Sequence, residues 1–317
     1  MQTKIKIQRY LLTGIVIVVT VYLIFFFKTE ITHYRIIQEL WNLGHVFLFT
    51  ALGYLLYTKI LYKLKLSVFK EFLIIILAAF VLGSFIEIVQ SYTGRDKSFY
   101  DVILDTVGAT ISVALFSKTL LDSTKILRAL IMSLIVMFSI ASLYPMYNTV
   151  VDAINQMNDF PVLLSNTKNN EITRFTIQNA EIAIIEKEIF DNDLQLLRVV
   201  FKPAMYSTIS LESFSSEWSG YDSLIFSIYN PMPSSTIVIL RIHDRAHKTY
   251  NNNYNDRYNV RLNLNSGLNS IKIKLSEIRN APYKREMNMD EIDGLMFFKM
   301  DSSTYETFYF SQIQLVK

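Results

Sequence analysis

The chain has 317 residues, 51% of them hydrophobic, a mean hydropathy of +0.27 and a formal net charge of +3. That hydropathy is high for a wholly soluble protein, and zero cysteines exclude disulfides, thiolate metal sites and a cysteine nucleophile. Residues 1–150 hold nearly all the long apolar runs and carry 14 Lys and Arg against 8 Asp and Glu. The remainder carries 17 against 20, and a net acidic half without a basic stripe excludes nucleic acid as a natural partner.

In chain order the first half predicts five membrane spans, at 11–27, 43–61, 72–90, 101–120 and 129–147. Runs of this length cross a ~30 Å hydrocarbon core at ~1.5 Å per residue. The first is followed by Phe25-Phe26-Phe27-Lys28-Thr29-Glu30, with no small-x-small cleavage site, so it reads as an uncleaved anchor. Lys4, Lys6 and Arg9 precede span one. Lys59, Lys63, Lys65 and Lys70 lie between spans two and three, and Lys118, Lys125 and Arg128 between four and five. The positive-inside rule then puts the N-terminus in the cytoplasm and everything after Tyr147 outside.

With that topology, polar residues gather at the outer ends of three spans. They are His45, Glu87, Gln90, Gly94-Arg95, Asp101 and Asp105, with Gly83 and Gly108 as small residues for close helix approach. Ionisable groups within a membrane segment cost several kcal/mol unless paired or wetted, so they mark a functional site by default. Three readings stay open. One is a buried lock in which Arg95 bridges Glu87 and Asp101. Another is a pocket in which Arg95 and His45 hold the phosphate of a lipid or lipid-linked glycan. The third is catalysis by Glu87, Asp101, Asp105 or His45 as general base, or through a divalent ion on those side chains. No nucleophile elbow, metalloprotease helix or phosphate loop is present in the sequence.

The stretch His45-x-Phe47-x-Phe49 with Gly53, Glu87-x-x-Gln90, Gly94-Arg95, Ser98, Asp101, Asp105 and Gly108 resembles the VanZ-like membrane proteins over about residues 35–120. The family pattern has an Asp-Glu pair in the third helix, whereas Ile86 precedes Glu87 here. The resemblance implies a role in cell-envelope biology and glycopeptide-antibiotic tolerance, and supplies no mechanism.

Residues 151–174 are polar and Asn-rich and read as a linker or neck. From 175 to 317 the pattern changes to short runs, with strands expected at Leu194–Phe201, Thr208–Glu212, Ser223–Tyr229, Thr236–Ile242, Asn259–Leu264, Ile271–Leu275, Leu295–Met300 and Thr307–Val316. Asn230-Pro231 and Asn265-Ser266-Gly267 supply turns. The fold class is therefore a five-helix membrane bundle followed by an all-β jelly-roll sandwich. Trp218 and Tyr221 read as core and corner residues.

The runs Trp218–Leu224, Tyr229-Asn230-Pro231, Leu240–His247, Asp256–Asn259, Gly267-Leu268-Asn269 and Ile278–Pro282 resemble carbohydrate-binding-module or galactose-binding-like sandwiches. Sugar recognition needs aromatic faces and planar polar groups. His243, Asp244, Arg245, His247, Tyr250, Tyr254, Asp256, Arg257 and Tyr258 supply both in one stretch. The alternative is an ion-pair network, His243-Asp244-Arg245 with Asp256-Arg257, closing the sandwich edge. Such sandwiches admit a structural Ca2+, although no acidic calcium loop is legible; no other cofactor is expected.

These readings converge on a multi-pass protein of a bacterial cytoplasmic (inner) membrane. Its expected partners are the lipid bilayer and an envelope glycan or lipid-linked precursor recognised by an extracytoplasmic sandwich. The alternatives are an enzyme modifying a lipid-linked glycan and a scaffold docking another envelope protein.

Overall fold

The computed structural model describes residues 35–92, 98–189 and 192–317, with side chains given outside 187–194. The chain divides into two compact units, Met1–Tyr147 and Asn148–Lys317. The first expected span, 11–27, and Gly94-Arg95 lie outside the described residues.

Four described helices are long and apolar enough to cross a membrane: α1 (Arg35–Leu64), α2 (Val68–Tyr92), α3 (Phe99–Phe116) and α4 (Lys125–Asp159). Five spans were expected. α1 includes a π-helical turn at Tyr57–Leu61 and ends where Lys65 adopts a left-handed conformation (φ 46°), a common helix stop. Ser98 caps α3, its Oγ accepting from the Asp101 amide. The expected 101–120 span stops at Phe116 because Ser117 is extended and caps a further short helix, Lys118–Leu121. α4 runs past the expected end at 147. The drop in hydropathy there ends the apolar segment, not the helix, since helical backbone satisfies its own hydrogen bonds whatever the side chains.

α3 packs against both α1 and α2. The α1 contact is very close. A Cβ on Gly108 would lie 2.3 Å from the Val46 carbonyl oxygen, and one on Gly53 would lie 2.1 Å from Ser112 Oγ. Glycine therefore sets this helix separation. Along α2 the buried residues Glu71, Ile75, Ala79, Gly83, Glu87 and Gln90 recur every three or four positions, which puts them on one stripe. Leu77, Val81, Phe85, Leu130, Leu134 and Met137 are exposed, as lipid-facing positions require.

The second unit is a two-sheet antiparallel sandwich built from β1 (Val162–Leu164), β2 (Phe175–Gln178), β3 (Ala180–Ile189), β4 (Asn192–Phe201), β5 (Ala204–Leu211), β6 (Ser223–Asn230), β7 (Thr236–Asp244), β8 (Tyr258–Leu264), β9 (Gly267–Lys274), β10 (Ile292–Ser302), β11 (Glu306–Phe310) and β12 (Ile313–Val316). One sheet has the order β1-β12-β6-β11-β4-β3, with β9 also paired to β6; the other is β2-β5-β10-β7-β8. All eight expected strands form, with two adjustments. Leu275 opens a short helix, Leu275–Arg279, and Thr307–Val316 breaks at Ser311-Gln312 into two strands that lie in succession along β6. Ser311 fills the gap, its amide donating to the Ser227 carbonyl and its Oγ accepting from the Ser227 amide.

Leu224, Phe226 and Ile228 point inward from β6 and meet Val238, Leu240, Ile242 and Phe297 of the opposite sheet. Phe226 and Phe297 make an edge-on contact at 5.4 Å. Trp218 is fully buried and donates Nε1–H to the Ser215 carbonyl, so its core assignment holds.

Residues 151–174, expected as a linker, hold the end of α4, β1 and a 3-10 turn, Asn169–Arg174. They are structured because Asp152 and Arg174 are buried together. Arg174 Nε and Nη2 donate to the Asp152 carboxylate at 2.8–3.1 Å, and Nη1 donates to the Leu163 carbonyl at 2.8 Å.

Candidate functional site

Two polar constellations stand out, one in each unit. In the helical unit, His45 of α1 meets two carboxylates of α3. His45 Nδ1 lies 2.9 Å from Asp105 Oδ1, and Nε2 lies 3.7 Å from Asp101 Oδ2. Asp101 is tied to the α3 cap, since Ser98 Oγ donates to Asp101 Oδ1 at 3.0 Å, and the Ser98 amide donates to Glu87 Oε2 at 2.8 Å. Side chains from three helices thus converge on one buried cluster, His45 from about three turns inside α1 and Glu87 and Asp101 from near the ends of α2 and α3. Gln90, one turn beyond Glu87, is also buried. Among the described residues, Asp105 Oδ2 has no hydrogen-bond partner and packs against Gly83, where an added Cβ would come within 2.4 Å. The structure brings together His45, Glu87, Asp101 and Asp105 as the sequence grouped them; Arg95 lies outside the described residues.

Sequence reasoning missed a further buried acid in this bundle, Glu71. Glu71 accepts from Ser117 Oγ and Thr119 Oγ1, both at 2.7 Å, while the Lys118 amide donates to the Tyr57 hydroxyl at 2.8 Å. Its only sequence signal is an acid bordering an apolar run, and beside Lys70 it reads as an interfacial charge.

In the sandwich, pairing register defines the outer face of the five-stranded sheet. Because Leu240, Ile242, Leu295 and Phe297 face the core, their alternates face away. Asn259, Arg241, Met296, Ser210 and Thr176 form one row across β8, β7, β10, β5 and β2. The neighbouring row contains Arg261, Ile239, Phe298, Thr208 and Gln178, followed by exposed Ile237, Met300 and Tyr206. On the other side of the Arg241 row stands His243 opposite Gly294. An added Cβ on that glycine would lie 2.4 Å from the imidazole, so glycine makes room for the ring.

The loop after β7 completes the region. Asn251 and Asn252 both take left-handed conformations (φ 54° and 52°), which asparagine tolerates better than most residues. Arg285, not singled out in the sequence, holds the loop to the sheet. Its guanidinium donates to Asp244 at 2.5 and 2.7 Å and to Asp256 at 2.7 and 2.8 Å. The expected network of Asp244 and Asp256 with Arg245 and Arg257 is thereby replaced. Arg245 lies 3.5 Å from Glu291, and Arg257 lies over the Tyr254 ring at 5.1 Å. Arg285 itself lies over Tyr250 at 5.2 Å. Tyr258 packs against the core rather than facing out, and His247 is buried with Nδ1 at 3.0 Å from the Asp256 carbonyl. The Asp244 and Asp256 carboxylates are engaged by Arg285, and among the described residues no group of three or more His, Cys, Asp or Glu side chains is placed to hold a metal ion.

Electrostatics separate the two kinds of arginine here. Hydrogen bonds to Asp244 and Asp256 raise the Arg285 pKa, and the same guanidinium holds the Asp256 carboxyl below its usual value. Among the described residues, Arg241 has no carboxylate partner. Burial and the nearby Arg257 charge push it down to about 10. His243 is pushed down to about 4, mostly by burial and then by Arg241. On the opposite sheet, Ile225, Ser227, Ser270, Lys272, Gln312 and Gln314 line a shallow depression of about 420 Å³.

With both sites described, comparison with known proteins bears on the segment that holds the first. Residues 4–122 match the VanZ/LLP1 family model. This VanZ-like segment contains the whole His45–Glu87–Asp101–Asp105 cluster and the Glu71 site. A search of curated proteins returns no match. Among solved structures, the sandwich is similar to an exo-β-agarase at 13% identity and TM-score 0.39, covering 49% of this chain and 25% of that one. The family 11 carbohydrate-binding module from Clostridium thermocellum in complex with a β-1,3-1,4-mixed-linked tetrasaccharide gives 14% identity and TM-score 0.36, covering 49% and 94%. A carbohydrate-binding module specific for non-crystalline cellulose gives 9% and 0.34, covering 50% and 94%. The chain thus spans a quarter of the agarase's length, and these are remote likenesses of architecture.

Proposed function

We propose that this is a multi-pass protein of a bacterial cytoplasmic membrane whose extracytoplasmic sandwich recognises an envelope glycan or lipid-linked glycan precursor. The observation that carries the reading is the outer face of the β10-β7-β8 sheet with its loop. Exposed Tyr254 and Tyr250 present aromatic rings, each with a guanidinium alongside, and the polar side chains of Arg241, His243, Asn259 and Ser210 lie on the adjoining strands. Aromatic planes match the C–H faces of sugars, and fixed planar donors match paired hydroxyls. The placement outside rests on basic residues alternating with the spans. The test is titration of the purified full-length protein in neutral detergent with envelope oligosaccharides. Saturable binding that Tyr254→Ala abolishes supports the reading, and a folded protein that binds none contradicts it.

A second reading, a membrane enzyme acting on the same lipid-linked glycan, draws on the His45 geometry. An imidazole oriented by a buried carboxylate on one nitrogen, with a second carboxylate near the other, is a competent proton-transfer arrangement. Asp101→Asn distinguishes them, because an enzyme loses turnover of a lipid-linked substrate while a recognition protein retains binding.

A further inference from the structure

We propose that the outer face of the five-stranded sheet binds an anionic sugar, with Arg241 and Arg257 holding its carboxylate or phosphate and His243, Asn259 and Ser210 completing the site. This inference rests on the glycan reading and specifies its ligand class.

Three observations carry it. First, among the described residues, Ser210 Oγ, Arg241 Nε, His243 Nδ1, Arg257 Nε and Asn259 Oδ1 are buried without a hydrogen-bond partner. Buried polar atoms are nearly always paired, and each exception calls for a reason. Here five of them share one face. Ser210, Arg241 and Asn259 stand in a single row, His243 is two residues along β7 from Arg241, and Arg257 two residues before Asn259.

Second, Arg241 and Arg257 are close enough for one to lower the pKa of the other, and burial lowers both. Two half-buried guanidiniums of like charge repel, and in low dielectric the repulsion is weakly screened. An oxyanion between them removes that cost, and guanidinium forks match carboxylate and phosphate bidentately.

Third, the nearby acids are already taken. Asp244 and Asp256 bind Arg285, Asp293 binds Lys248 at 2.8 Å, and Glu291 pairs with Arg245. On the same face Glu212 accepts from Thr176 Oγ1 at 2.8 Å. None of these contacts reaches Arg241 or Arg257, so among the described residues neither guanidinium has a carboxylate ion-pair partner, whereas water alone would leave their mutual repulsion. In the strip beside the cationic row Phe298 and Ile239 stand between Thr208 and Arg261, followed by exposed Tyr206 and Met300, and these apolar side chains offer a platform for the sugar ring carrying the acid.

The test titrates full-length protein in neutral detergent with three probes: an oligouronate, a glycerol-phosphate oligomer and a neutral β-glucan oligosaccharide. The expected result is saturable binding of an acidic probe, weakened by salt and at least about tenfold weaker in Arg241→Gln and Arg257→Gln. Lys272→Gln, on the opposite sheet, should bind as wild type. The two anion sources separate by which acidic probe saturates, the oligouronate carrying carboxylates and the glycerol-phosphate oligomer carrying phosphodiesters. Should Arg241→Gln lose the near-ultraviolet signal of buried Trp218, Arg257→Gln and the charge-conserving Arg241→Lys decide. Equal binding of the neutral probe, unchanged in both arginine variants, overturns the anionic site and leaves glycan recognition standing. Binding of no probe overturns both.

Discussion

Arg285 is the residue on which the loop and sheet edge of the sandwich depend, and its removal has a calculable cost. Its guanidinium makes four short bonds to two carboxylates, of which Asp244 is fully buried and also accepts from the Asn288 amide. Arg285→Met keeps most of the side-chain volume but leaves two acids without their cation. Stranding a partner of a buried ion pair costs about 3–5 kcal/mol. In a unit of this size each kcal/mol shifts the midpoint by about 2–4 °C, so the variant should unfold roughly 10 °C below wild type. The assay is thermal unfolding of full-length protein in detergent, followed by the near-ultraviolet circular dichroism of buried Trp218. The triple variant Arg285→Met, Asp244→Asn, Asp256→Asn should recover at least half of the loss, because no charge is then stranded. An Arg285→Met midpoint within about 2 °C of wild type would refute the reasoning, since it would mean the carboxylates are hydrated rather than held.

Other consequences follow from single contacts. Gly83→Ala places a Cβ 2.4 Å from Asp105 Oδ2 and must displace the His45 partner, so its thermal midpoint in detergent should fall, while Gly44→Ala, with nothing within 4 Å, should be neutral. His243 has a folded pKa pushed down to about 4 against about 6.5 in the unfolded chain. Between those values the unfolded state binds more protons, so the sandwich should lose stability as pH falls from about 6.5 to 4, by at most about 3 kcal/mol, and His243→Gln should flatten that part of the profile. Because the chain has no cysteine, Ser303→Cys on an exposed turn gives a single label site. A membrane-impermeant maleimide should modify it in intact spheroplasts, and protection until lysis would reverse the topology.

Sequence periodicity made the strands of the sandwich core legible because each buries alternate residues, as Leu224, Phe226 and Ile228 do. It missed β1, β2 and β3 for a physical reason. β1 is three residues long, and β3 interleaves Glu181, Glu186 and Lys187 with its apolar residues, as suits the edge of a sheet. The membrane cluster was legible because charge stands out against apolar runs. Arg285 was not, since its meaning depends on Asp244 and Asp256, which lie 41 and 29 residues away in sequence. Proximity along the chain instead made Arg245 and Arg257 look like the partners. Asp152 and Arg174 were hidden in the same way, within an Asn-rich stretch whose composition resembles a linker.

Glycan recognition by the sandwich is tested most directly by isothermal titration of full-length protein in neutral detergent with neutral and acidic envelope oligosaccharides, beside Tyr254→Ala. Saturable binding by wild type and its loss in a normally folded Tyr254→Ala variant is the predicted result. A correctly folded wild type that binds no member of the panel would contradict the account.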